Sequence, residues 1–265
     1  SGRDLRAWSR LWLETAGVST LRPVLEVDDR GLIASAVIEQ TCAPGFETVR
    51  PHTLNVGLYA VRDGALHRTD VIAVDVDGAV TEVAELVGRE QPDLLLVNDD
   101  DLAYAKIRLD ERSLATALTH PRGFTSSLPR SLVLACLWDM TRDAEMGARA
   151  FVDVVLATLP GETDSTLLRT LIAQLQTSVL SYTDPEHREA TRASTRDRLW
   201  EIARETVHLF VFEAGEAYYI DKLDSPHPVG MRSRIGARRD LYSTSGGRAI
   251  LSFLPEAELK SYLDR

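Results

Sequence analysis

Six histidines, two cysteines and a run of three aspartates are the residues here that could hold a metal. A zinc site takes three or four His, Cys or carboxylate ligands at compatible spacing. His52, His67, His120, His187, His208 and His227 are scattered, and none has a second His four residues away, so no His-Glu-x-x-His helix exists. Asp99, Asp100 and Asp101 would suit a hard cation. The spacing of a calcium loop is absent, however, and the triplet reads as a solvated turn between strands. A serine nucleophile needs a sharp Gly-x-Ser-x-Gly turn. Thr244-Ser245-Gly246-Gly247 lacks the preceding Gly and sits at a helix start. Neither glycine pattern of a nucleotide-binding loop occurs. The expectation is no catalytic residue, no metal ligand and no cofactor in this chain.

One place keeps a binding reading. Ser243, Thr244, Ser245, Gly246 and Gly247 open a helix just after a basic stretch that includes Arg234, Arg238 and Arg239. Free amides at a helix start, with small residues around them, favour a small carboxylate or a phosphate. The alternative is an ordinary cap with two glycines for close packing. Trp8, Trp12, Trp138 and Trp200 lie at core-like helical spacings, so packing is expected of them rather than ligand stacking.

The elements that must position these residues fall into four stretches. Residues 4–16 have a helical face of Leu5, Trp8, Trp12 and Thr15/Ala16, with Gly17 as a stop. A helix this short is marginal alone and should dock on something. From Leu21 to about Leu109 the period is two, with turns at Asp28-Asp29-Arg30-Gly31, Arg62-Asp63-Gly64 and Asp77-Gly78; this predicts an antiparallel β-sandwich. From Asp110 the period is helical. Thr125/Ser126, Thr163 or Asp164, and Asp184-Pro185-Glu186 are the helix starts, and Leu128, Leu132, Ala135/Cys136 and Trp138/Asp139 form one stripe. Four or five antiparallel helices are predicted. After about 205, strands 207–213 and 216–222 form a hairpin around Ala214-Gly215. A loop at 225–228, a strand over 229–235 and two last helices follow. The predicted fold is therefore mixed α and β and multi-domain: a docking helix at 1–19, the sandwich at 20–109, a helical array at 110–205 and a small α/β piece at 206–265.

Composition agrees with a join near Arg204. The net charge is −10. Residues 206–265 balance their charges, so the first 205 carry all of it. An acidic surface repels phosphates, so no nucleic-acid partner is expected. No apolar run is long enough for a transmembrane helix, and no membrane partner is expected. Cys42 and Cys136 suggest reduced, buried thiols and a cytoplasmic home. The start, Ser1-Gly2-Arg3-Asp4, has no signal-peptide pattern and looks like a cut edge.

Two resemblances follow from particular segments. DLRAWSRLWLETAG from Asp4, VNDDDLAYAKIRLD from Val97, SLPRSLVLACLWDMTRDAEM from Ser127 and DPEHREATR from Asp184 make residues 4 to about 203 resemble the C-terminal region of an actinobacterial-type aminopeptidase N, a zinc metallopeptidase. The resemblance implies the last helix of a catalytic domain, then that family's β-sandwich, then the start of its helical domain, here cut short. It implies that zinc and the peptide-binding motif belong to a catalytic domain that would be the partner of this chain. Peptides would be substrates of the full-length parent alone. VHLFVFEAGEAYYIDKLDSPHPVGMRSR from Val207 and IGARRDLYSTSGGRAILSFL from Ile235 resemble the effector-binding domain of IclR-type transcription regulators. That implies an incomplete, GAF-like α/β segment beside a pocket for a small organic acid. Asp240, Tyr242, Ser243 and Arg248 depart from that family's pattern. The whole reads as a hybrid: an aminopeptidase scaffold followed by part of a sensor.

Overall fold

Asp63 and Gly64 both take left-handed φ, 53° and 78°, which a two-residue hairpin turn demands of its central positions. They join β3 (His52–Arg62) to β4 (Ala65–Val76), with Arg62 opposite Ala65. Asp28 closes the turn before β2 by accepting from the amides of Arg30 and Leu32, both at 2.9 Å, and Gly31 supplies φ 81°. The computed structural model describes residues 6–203, 207–213, 216–223 and 234–264. The chain divides into two compact units, Ser1–Arg192 and Ala193–Arg265.

In the first unit α1 (Arg6–Leu13) precedes two sheets. One has the order β5-β2-β1-β7, from β1 (Ser19–Val27), β2 (Ile33–Cys42), β5 (Val80–Glu82) and β7 (Lys106–Ile107). The other has the order β4-β3-β6, with β6 at Leu94–Asp99. Leu21, Ile33 and Ile38 of the first share one apolar core with Leu54, Val56, Val74, Leu95 and Val97 of the second. The alternation read from the sequence puts alternate residues inward, as a two-faced strand requires. The pairing departs from the all-antiparallel expectation where β7 meets β1. β7 joins β1 in parallel, Thr20 opposite Lys106 and Leu21 opposite Ile107, because the chain re-enters from β6 by a crossover rather than a hairpin.

The helical stretch is α2 (Glu111–Thr119), α3 (Ser127–Arg142), α4 (Ala148–Thr158), α5 (Ser165–Thr177) and α6 (Pro185–Ala203), with a π turn at Ser178–Tyr182. Asp110 caps α2 through the amides of Arg112 and Ser113. Asp164, not Thr163, caps α5 through Thr166 and Leu167 at 2.9 and 3.0 Å. Ser126 precedes α3 without a capping bond from its side chain. The buried face of α3 is Val133, Leu134, Cys136, Leu137 and Met140, while Leu128 is 41% exposed. The stripe is shifted from the predicted one because α3 packs against β6 and β7 as well as α4. The Cys136 thiol donates to the Ile107 carbonyl at 2.9 Å. Trp138 packs beside Phe151 and Tyr182, at centroid distances of 5.3 and 5.8 Å.

The second unit contains β8 (Val207–Glu213) and β9 (Glu216–Leu223), antiparallel from Val207 opposite Leu223 to Glu213 opposite Glu216. The loop expected at 225–228, and residues 229–233 of the strand expected over 229–235, lie outside the described residues, as do 204–206 at the expected join. Arg234 and Ile235 are not in a strand. The third strand is β10 (Arg238–Arg239), which pairs with β9 after a turn at Gly236, φ 78°. Then come α7 (Ser245–Phe253) and α8 (Glu256–Leu263). The division between units falls inside α6, ahead of the boundary expected at 205.

Candidate functional site

The helix start singled out in the sequence is the N-terminus of α7. Thr244 is extended, at φ −120° and ψ 150°, and its hydroxyl accepts from the Gly247 amide at 3.0 Å. That is an ordinary N-cap, and it occupies one of the first free amides. Gly247 also has a packing reason: a Cβ there would lie 2.2 Å from the Leu241 carbonyl oxygen. Ser243 donates to the Asp240 carbonyl at 3.1 Å, and Ser245 and Gly246 form the first turn of the helix. Arg238 is held on β9, ion-paired to Glu216 at 3.1 Å with its guanidinium 5.6 Å over the Tyr218 ring. The structure thus brings Thr244 and Gly247 together and commits Arg238 to a carboxylate on the neighbouring strand.

The aspartate triplet leads into a turn between strands, as expected, and Asp101 is exposed, but the triplet is not solvated throughout. Asp99 is 1% exposed. Its carboxylate accepts from the Tyr59 hydroxyl at 2.8 and 3.0 Å and from Arg68 at 3.1 Å. Asp100 accepts from Arg68 at 2.9 Å and from Asn55 at 3.0 Å. The hydrogen bond from Asn55, then those from Arg68, hold the Asp100 carboxyl below its ordinary range. Burial, helped by Asp99, pushes the Tyr59 phenol up. The loop bends back through left-handed φ at Asn98 (63°), Asp100 (76°) and Asp101 (55°), a region that Asn and Asp tolerate best among side-chain-bearing residues. Gly57 makes the room: a Cβ there would meet an Asp99 oxygen at 2.1 Å. Period-two patterning carries no sign of Arg68 or Gly57 as partners, because a partner across strands is set by register.

Arg130 and Arg108 are likewise paired inside the fold. Arg130 holds Glu162 bidentately at 2.7 and 3.1 Å. Arg108, 2% exposed, bridges Asp143 and Glu145 of the α3–α4 loop, which also receive Lys106 and Arg22. Among the described residues no group of three or more His, Cys, Asp or Glu is placed to hold a metal. No described helix is long and apolar enough to cross a membrane.

Residues 94–223 match the family model "ERAP1-like C-terminal domain", and residues 182–265 match "Bacterial transcriptional regulator IclR C-terminal". The aminopeptidase N of Streptomyces lividans is 47% identical over 198 residues, covering 72% of this chain and 23% of that protein. The HTH-type transcriptional regulator KdgR of Escherichia coli K12 is 38% identical over 63 residues, 24% of each chain. This chain therefore spans about a quarter of either relative. Among solved structures, a Legionella pneumophila aminopeptidase A in complex with aspartic acid aligns over 76% of this chain and 24% of its own, at 17% identity and a TM-score of 0.46. The Thermotoga maritima IclR aligns over 52% of this chain and 61% of its own, at 26% identity and a TM-score of 0.26. At TM-scores this low neither superposition bears on function.

Proposed function

We propose that this chain, similar to aminopeptidase N over most of its length and to the IclR effector domain at its end, is a hybrid whose larger part acts as a non-catalytic scaffold of a zinc-dependent aminopeptidase. The parent activity is release of N-terminal amino acids from peptides. The observation that carries this reading is the 47% identity over 198 residues, in a sequence with no His-Glu-x-x-His. The two-sheet core is then the family's β-sandwich, and α2 to α6 are the start of its antiparallel helical domain, a lid over the cleft of the parent enzyme. The partner is the catalytic domain of such an enzyme, which supplies the zinc and the substrate-binding motif, and the compartment is the cytoplasm.

This reading is tested on the chain as it stands. Metal analysis should find less than stoichiometric zinc, and aminoacyl reporter substrates should not turn over, because the ligand set and the general base are absent. One zinc per chain with chelator-sensitive turnover would overturn it.

The match of residues 182–265 to the IclR C-terminal model favours a second reading for the smaller unit, as part of a GAF-like, ligand-sensing domain. On that reading Ser243, Thr244, Ser245, Gly246 and Gly247, with Arg238, receive a small organic acid, and no nucleic acid is bound. Amide resonances of 243–247 that stay still through a titration with small organic acids would remove it.

A further inference from the structure

We draw no further inference here: the strongest candidate, the groove of about 660 Å³ beside α1 that Trp8, Trp12, His52, Asp75 and Asp77 line, carries nothing, because the buried Trp12 and His52 nitrogens are closed to solvent, with the two rings lying against each other, and nothing in the structure shows what covers the exposed carboxylates.

Discussion

Glu162 and His52 are single residues whose protonation reports on packing, and they do so in different pH windows. The Glu162 side chain is 1% exposed. Burial alone would raise its carboxyl, but Arg130 and the amides of Asp164 and Thr163 outweigh burial and hold it below the ordinary 4.5. Glu162→Gln leaves the Arg130 charge buried without its partner and should cost about 3 kcal/mol in denaturant unfolding. A change within ±0.5 kcal/mol, typical of surface substitutions, would show the pair to be dispensable. The Glu162 contribution is present above the unfolded carboxyl value and is lost as pH falls through the lower folded one. His52 acts earlier. Its folded pKa lies below 6.5, so the unfolded chain takes up a proton that the native imidazole refuses. Stability is therefore full above about pH 6.5 and falls toward pH 5, and His52→Gln should flatten the melting temperature across that window. An unchanged slope would assign the effect elsewhere. Neither role is visible in the sequence. Glu162 follows Pro160-Gly161 like any loop carboxylate, and His52 was one of six scattered histidines.

At the scale of elements, α1 is the informative case. Eight residues are too few for a stable helix in water. Its two tryptophans announced that it must dock. They did not say on what. The answer is Arg50, 4% exposed, which donates to the carbonyls of Leu11, Thr15, Ala16 and Gly17 and to the Thr15 hydroxyl. These include carbonyls at the end of the helix, where a cation is favoured by the dipole. Trp12 meets His52 edge-on at 5.2 Å. Arg50→Lys keeps the charge but not the fork of donors. Amide exchange over residues 6–13 should speed up at least tenfold in that variant, while β3 and β6 keep their protection. Equal acceleration in the strands would mean that Arg50 holds the whole core and not the helix. The strands and turns, by contrast, were legible, since Asp-Gly and Arg-Gly turns fix hairpins locally.

For the whole molecule the two units differ in size, Ser1–Arg192 against Ala193–Arg265. In the second unit Ala217, Tyr219 and Leu241 are buried, whereas Ile235, Tyr242, Phe253 and Leu263 are 64–77% exposed. Units near 60 residues are marginal even with full cores. Limited trypsin digestion should cut at Lys222, Arg238 or Arg239 before it cuts the two-sheet core, because local opening concentrates where few buried contacts cross. Residues 1–205 alone should keep a cooperative melt. If deleting 206–265 unfolds the remainder, the two parts share one core.

The sequence by itself determined the period of each stretch, the hairpin turns, the helix starts near Asp110, at Thr163 or Asp164 and at Asp184, the change of character after about residue 200 and both resemblances. These are local: a turn or a cap needs only neighbours along the chain, and a resemblance needs only the order of residues. Tertiary structure alone decided that Asp99 is buried on Tyr59 and Arg68, that β7 lies parallel to β1, that the α3 face turns to serve both sheets and a helix at once, and that two tryptophans, a histidine and two aspartates border one groove. Each joins residues tens of positions apart. Register and packing select such pairs from many that alternation and charge permit equally, so no local pattern could single them out.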